Sequence, residues 1–582
     1  CQRRSMLVIR QLAPVVALAL CAWLSPPAEG AWRHPAEAHH GMVASANPHA
    51  TVAGRAMLAA GGNAVDAAVA VSLGLSVTEP WSSGLGGGGF MIVHMDGESV
   101  AWDFREMAPA GATRDMFVKG GKVVRGSSTW SALASGIPGQ VRGLVAVHRA
   151  HGRLPFAVVA APAISLARDG FQVSGHFRRK TSRASLHFDA EARRIFLDAS
   201  GRPWPVGTRF RQPELAATLE AIVETDGEAF YTGEVAREMV RGVREAGGLW
   251  TMADLAGYEV KRREVVRGTY RGYDIASMSP PSSGGVLLVQ MLGVLEGFDL
   301  KAHGYGSAWT VHRMVEAMKR AYAMRAKGLG DPDHHPVKNS DYMSAEVIAA
   351  VRREVRAASK ATPSAKISRV KVRPEEGTHT SHFGVLMANG DAVACTQTIN
   401  LLYGSGRMAG RTGVVLNNEM DDFSAMPGVP NAFGLIGDVA NAVAPGKRPL
   451  SSMTPSILSK DGRAVGVFGT PGGSTIITTT LQSILNVVDH GMDVSAAVGA
   501  PRVHHQWYPE QLMIERDALS PDTRRALREL GHQLAERGAY GNAMALWRRD
   551  DGVLTGAADP RGEGTAGGIG DVPRDGLTRP AP

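Results

Sequence analysis

Cysteine is scarce in this chain, with 3 residues among 582. Two of them, Cys1 and Cys21, precede residue 30, and beyond that point only Cys395 remains. One thiol cannot build the disulfide framework of small exported domains, so stability must come from core packing. Long apolar runs are missing too: the stretch from Leu12 to Leu24 falls short of the roughly 20 residues that cross a bilayer. No Walker-type phosphate loop and no Gly-x-Ser-x-Gly elbow occurs, which leaves two large enzyme classes unsupported. The paired histidines His39-His40, His334-His335 and His504-His505 lack the spacing of a metal site. There is no solenoid repeat and no three-residue glycine period, so repeat arrays and collagen are excluded.

What is present is a globular composition, 44% hydrophobic and 20% charged, with ample material for a large core. Glycine is in excess, at 69 residues, and clusters in short motifs between apolar runs. The formal charge is +8. Apart from 352–373 the basic residues are dispersed and no recognition motif accompanies them, so nucleic acid is not an expected partner. Arg3, Arg4 and Arg10 precede the apolar run, and the small-residue stretch Ala28-Glu29-Gly30-Ala31 follows it. That order describes a secretory signal peptide over residues 1–30, leaving a periplasmic or secreted protein without a stable membrane span.

Along the chain, Met57 to Ala60 and Val65 to Leu75 read as Ala-rich helical pieces separated by Gly61-Gly62-Asn63. A glycine loop, Ser82 to Phe90, leads into the alternating run Met91 to His94 and a turn at Asp96-Gly97. Gly84 to Gly89 formally satisfies the dinucleotide-binding pattern, but a strand-like segment follows where a helix is required, so a tight structural loop is the better reading. From 352 to 379 Arg, Lys, Ser, Ala and Pro dominate, which predicts an exposed linker. The segment THTSHFGVLM, then Asn389-Gly390, then DAVACTQTIN predicts a hairpin. A helix is expected at about Ile476 to Val488, and the last residues, rich in Gly, Pro and Arg, are expected to fray. Mixed strands and helices argue for an α+β protein with sheets covered by helices.

The junction of linker and hairpin carries the chemistry. A Thr opening a strand after a cleavable linker is where an N-terminal nucleophile sits, its own α-amine acting as the base. The turn brings Thr398 and Asn400 back beside Thr380, though a one-residue slip decides whether Thr398 faces it directly or diagonally. An ordinary Thr-rich strand explains the same residues, and Thr378 or Ser381 could equally claim the role.

In order, the motifs GMVAS (41–45), GGNAVDAA (61–68), DFREMAPA (103–110), LARDGF (166–171), MSPPSSGG (278–285), LGDPD (329–333), NNEMDDFSAMPGVPN (417–431), KRPLSSMTPS (447–456), GTPGGSTIITT (469–479) and GAADPR (556–561) occur. With them the chain resembles the γ-glutamyltransferase (γ-glutamyl transpeptidase) family from about Gly41 to Arg561. The family's Thr-x-His motif is Thr380-Ser381-His382, which selects Thr380 over its neighbours. The resemblance implies a four-layer αββα sandwich of the N-terminal-nucleophile hydrolase type. It also implies self-cleavage between His379 and Thr380 into a large subunit (31–379) and a small catalytic one (380–582), intertwined as a heterodimer.

By the same resemblance Thr398 orients Thr380, and Gly472 and Gly473 form the oxyanion hole. Arg105, Ser451 and Ser452 take the α-carboxylate of a γ-glutamyl group; Asn400, Glu419 and Asp422 take its α-ammonium. Bland alternatives are a surface ion pair for Arg105 and Glu106, and a solvated turn for Asp421-Asp422. Implied substrates are glutathione and other γ-glutamyl compounds, with amino acids or dipeptides as acceptors and no cofactor. Three positions depart from the family: Gly384 where Ser is frequent, Met324 where an acidic residue is usual, and Phe433 where some bacterial members carry Tyr in a lid spanning 427–443. Phe433 offers no hydroxyl, so a looser lid is expected. Rival readings are a cephalosporin or glutaryl-amide acylase of the same fold, and an unprocessed secreted binding protein.

Overall fold

A computed structural model describes residues 34–368, 380–516 and 518–571. The expected signal peptide and His379 lie outside the described residues. All elements named below belong to the unit that begins at Pro35.

Helix α1 (Pro48–Ala59) starts at Asn47, whose side chain accepts from His49 N at 3.0 Å, with Pro48 at the first helical position. Helix α2 (Ala64–Thr78) starts with a capping box: Asn63 Oδ1 accepts from Val65 N and Asp66 N, and Asp66 Oδ2 from Asn63 N at 2.8 Å. Every residue of α2 is buried, which accounts for its uniformly small, apolar sequence. Helix α3 (Gln140–His151) follows, then α4 (Gly175–Ala184), capped by Ser174 Oγ accepting from Phe177 N at 3.0 Å.

Strands β1 (Ala36–Ser45), β2 (Gly88–Met95), β3 (Glu98–Phe104), β4 (Lys261–Arg263), β5 (Val266–Tyr270) and β6 (Tyr273–Ser277) precede residue 380. After it come β7 (Ser381–Met387), β8 (Ala392–Thr398), β9 (Ser456–Lys460), β10 (Arg463–Gly469), β11 (Met544–Arg548), β12 (Leu554–Ala558) and β13 (Thr565–Asp571). They pair antiparallel in the order β4-β3-β2-β8-β7-β1-β12-β11-β10-β9-β6-β5, with β13 also on β1. Strands from the two sides of residue 380 are therefore interleaved. The sheet curls back so that β7 and β8 pack face to face on β10 and β11. Helices α1, α2 and α3 cover one outer face. The other is covered by α5 (Gly284–Leu295), α8 (Ile476–Val488) and α9 (Val494–Gly499), with α6 (Ala308–Gly328) packed on α5. That is the αββα order.

One expectation changes, and another falls outside the described residues. Residues 352–357 are not linker but the end of α7 (Ala345–Ala357), where Val351 and Val355, four apart, are buried and Arg352 Nε donates to Val294 O at 3.3 Å. The basic composition hid the end of a helix whose apolar stripe, Val347, Ile348, Val351 and Val355, continues into it through only two valines. Residues 364–367 form a further helical turn, anchored where Ser364 Oγ donates to Trp507 O at 2.6 Å. The remainder of the expected linker, 369–379, lies outside the described residues. Near the C-terminus, the glycine-rich run from Thr565 pairs along β1 as β13, and only 572–582 lie outside the described residues.

Gly384 has a physical reason. A Cβ there would lie 2.7 Å from Val467 Cγ1, across the gap between the two sheet layers. Gly384→Ser is therefore expected to destabilise the protein by about 1–3 kcal/mol, as overpacked cores do. Thermal unfolding of G384S, and its recovery in G384S/V467A, checks this.

Candidate active site

The hairpin β7–β8 pairs Ser381 with Gln397 and runs in register to Leu386 and Ala392. Continuing that register by one residue puts Thr398 directly opposite Thr380, and their hydroxyl oxygens are 3.3 Å apart. Thr398 Oγ1 also accepts from Asn400 N at 2.8 Å. Asn400 holds a left-handed φ of 74°, a conformation that costs free energy outside glycine, and its Nδ2 donates to Asn418 O at 2.8 Å. Thr380 is 7% exposed.

The glycine loop supports this strand end. A Cβ on Gly87 would lie 2.0 Å from Thr398 O, and one on Gly86 2.1 Å from Val415 O. Only glycine allows these backbones to meet. Asn417 ties the loop to the far wall: its Nδ2 donates to Gly86 O and Gly136 O, and its Oδ1 accepts from Glu419 N at 3.0 Å.

Gly472 (φ 148°) and Gly473 (φ 56°) form a turn that runs into α8. Among the described residues neither amide N–H meets an acceptor, and both sit near the positive end of that helix.

A small cavity of about 20 Å³ joins nine of the ten predicted site residues: Thr380, Thr398, Arg105, Asn400, Glu419, Asp422, Ser451, Ser452 and Gly473. The tenth, Gly472, lines a larger neighbouring cavity that also contains Thr380. Arg105 is no surface residue. It is 1% exposed, and its guanidinium donates to Glu419 Oε1, to Asp422 Oδ2 and, through Nε, to Pro449 O at 3.2 Å. Burial disfavours the charged guanidinium, but Glu419, Asp422 and Glu106 outweigh it and hold the proton more firmly. Burial likewise pushes the carboxyls of Glu419 and Asp422 up, against the pull of Arg105. Asp421 is no solvated turn either: its Oδ1 accepts from Ser128 Oγ at 2.6 Å and its Oδ2 from Ala432 N at 2.9 Å. Ser452 Oγ is buried without a hydrogen-bond partner, and so is Glu419 Oε2. Two polar atoms in the pocket are thus left for a ligand.

Residues 50–569 match the family described as Gamma-glutamyltranspeptidase. The chain belongs to the γ-glutamyltranspeptidase family. It is 45% identical over 532 residues to a glutathione hydrolase proenzyme of Escherichia coli strain K12, covering 91% of each chain. Its structure is similar to that of a cephalosporin acylase from Bacillus halodurans, with a TM-score of 0.81 and 28% identity over 94% of this chain and 99% of that one. It is also similar to the γ-glutamyltranspeptidase of Helicobacter pylori, with a TM-score of 0.55 and 38% identity over 56% of this chain and 94% of that one.

Seen within the γ-glutamyltranspeptidase family, the departures acquire causes. Phe433 is buried beside the cavity, and its carbonyl accepts from Gln506 Nε2 at 3.3 Å. Asn431 Nδ2 donates to Asp422 Oδ1 at 3.1 Å. The segment 427–443 is held against the site by the packing of Phe433, by backbone contacts and by the side-chain amides of Asn431 and Asn441, the latter donating to Asp422 O at 2.7 Å. Met324 Sδ accepts from Gln290 Nε2 at 3.1 Å, away from the pocket lining. The motif histidine, His382, packs against Gly469 and pairs through Nδ1 with Thr396 Oγ1 at 2.8 Å. Burial pushes its pKa down to about 3, which keeps the ring neutral.

Sequence reasoning missed Glu106 as a member of the site. It is fully buried, its carboxyl interacts with that of Glu419, and Arg105 Nη1 lies 3.6 Å away. Burial pushes its pKa from 4.5 up to about 7 against the attraction of Arg105. The folded chain then keeps a proton that an unfolded glutamate releases, so this group's stabilisation is full below about pH 4.5 and lost as pH rises through about 7. Glu106→Gln is expected to gain stability relative to wild type at pH 8 compared with pH 5, by on the order of 1 kcal/mol. Thermal melts of both proteins at both pH values check it, and no pH-dependent difference would refute it.

Proposed function

We propose that the protein is a γ-glutamyltransferase and glutathione hydrolase, made as a proenzyme that cuts itself between His379 and Thr380. Thr380 Oγ attacks the carbonyl carbon of residue 379, the peptide C–N bond breaks as its nitrogen gains a proton, and water hydrolyses the ester. The fragments, 31–379 once residues 1–30 are removed and 380–582, stay together as a heterodimer. The freed α-amine, with an ordinary pKa of roughly 7.7–8.0, then takes the proton from Oγ as Oγ attacks the γ-amide carbonyl of a donor such as glutathione. The carbonyl electron pair moves to oxygen, where the N–H groups of Gly472 and Gly473 stabilise it. Collapse expels the amine of cysteinylglycine, which leaves with the proton. Water, or the amine of an amino acid or dipeptide, then opens the γ-glutamyl ester.

The observation that carries this reading is a hydroxyl pair sharing one small cavity with a buried guanidinium ringed by carboxylates. A γ-glutamyl group is a zwitterion, and it fits by inserting into that pair. Its α-carboxylate meets Arg105, Ser451 and Ser452; its α-ammonium meets Asn400, Glu419 and Asp422. Thr398 holds the Thr380 hydroxyl in line. The leader-like residues 1–30 support a periplasmic or secreted location, and no helix among the described residues is long and apolar enough to cross a membrane.

A second reading, a glutaryl-amide or cephalosporin acylase, is kept open by the structural neighbour from Bacillus halodurans. A glutaryl group has no α-ammonium, so it makes no use of the acceptors Asn400, Glu419 and Asp422. The protein is expected to turn over γ-glutamyl-p-nitroanilide, faster with glycylglycine, and glutaryl-p-nitroanilide roughly 100-fold less well. Turnover of the glutaryl compound alone would reverse the choice.

A further inference from the structure

The donor pocket holds only the acyl half of a γ-glutamyl amide. The amide nitrogen and everything attached to it must lie on another side of Thr380. A cavity of about 280 Å³ lies there, sharing Thr380 with the donor pocket and including Pro471 and Gly472 in its wall. One wall is α4, which contributes His176, Arg179, Lys180 and Arg183 at the spacing of a single helix face. Among the described residues, Arg179, Lys180 and Arg183 donate no hydrogen bond and sit in no ion pair. Burial pushes the pKa of His176 down to about 4, with the neighbouring cations adding to it, so its ring is neutral near pH 7.

The other charges of the cavity are already engaged. Arg561 pairs with Glu515 at 2.6 Å and Asp559 at 3.0 Å. Glu79 is buried and accepts from Ser381 Oγ at 2.7 Å and Ser82 Oγ at 3.2 Å. The cavity thus carries beside Thr380 three cations that make no hydrogen bond or ion pair among the described residues; burial lowers the pKa of Lys180, against the attraction of the neighbouring Glu79. It also has two buried neutral groups without partners, the Tyr540 hydroxyl and Asn542 Oδ1. Lys180 is the half-buried one of the three cations, where a charge is screened least.

We propose that this cavity is the leaving-group and acceptor subsite, in which Lys180, assisted by Arg179 and Arg183, recognises the terminal carboxylate of the dipeptide or amino acid joined to the γ-glutamyl group. Tyr540 and Asn542 supply hydrogen bonds to the peptide unit of that ligand. The inference rests on the γ-glutamyl reading above. It makes the enzyme selective for amines that end in a carboxylate, on both the donor and acceptor sides of the reaction.

The test compares donors and acceptors that differ in that carboxylate. In processed Lys180→Gln, and in K180Q/R183Q to remove a substitute cation, kcat/KM for glutathione is expected to fall about tenfold more than kcat/KM for γ-glutamyl-p-nitroanilide. The KM for glycylglycine as acceptor is expected to rise about tenfold, while that for glycylglycinamide moves little. An equal loss with both donors, or no loss with either in the double variant, overturns the proposal, since a merely structural role affects both alike. Failure of the wild-type protein to turn over the γ-glutamyl anilide would instead overturn the reading beneath it.

Discussion

Thr380→Ala is expected to stay a single polypeptide and to lose γ-glutamyl turnover by a factor on the order of 10⁴ or more, the scale seen when a covalent nucleophile is removed. Both losses share one cause. In the proposed mechanism the same Oγ, 3.3 Å from Thr398 Oγ1, breaks the chain and attacks the donor. Thr380→Ser keeps the hydroxyl and is expected to keep both activities at a reduced rate. Gel electrophoresis and an anilide assay on the three proteins separate the cases. Cleavage in the alanine variant would show that another residue does the work.

Arg105→Lys should separate what Thr380→Ala joins. Processing needs the nucleophile and not the donor pocket, so the variant is expected to cut itself normally. Its kcat/KM for γ-glutamyl-p-nitroanilide is expected to fall by at least about 30-fold, or about 2 kcal/mol, mostly through KM. A lysine keeps the charge but loses the fork that reaches Glu419 and Asp422 on one side and Pro449 O on the other. Three buried carboxyls, Glu106, Glu419 and Asp422, would then share one compact ammonium, so the melting temperature is measured alongside. A normal KM with a depressed melting point would mean that Arg105 is only structural.

The parts of the molecule legible in the sequence were those with short-range signals. The Asn389-Gly390 turn between two alternating runs marked the hairpin β7–β8, and the Ala-rich run after Asn63 marked α2. Register was not legible, because either pairing kept the alternation; the contacts of β7 with β1 and of β8 with β2 on either side of the hairpin decide it. The end of α7 was missed because its two buried valines are lost among arginines. Glu106 was read only as a neighbour of Arg105, since burial of a charged pair depends on what folds over it. The basic wall formed by α4 was passed over for a related reason. Its cations matter because of where the helix sits, beside Thr380, which no local pattern announces. The glycine excess divides similarly: Gly86 and Gly87 let two backbones meet, while Gly472 and Gly473 line the cavities that contain Thr380.

Thr380 is expected to become an N-terminus. Intact-mass analysis and N-terminal sequencing of the purified wild-type protein test it most directly. Two fragments are predicted, the smaller beginning at Thr380. A single uncut chain, or a small fragment beginning at Thr378 or Ser381, would contradict it.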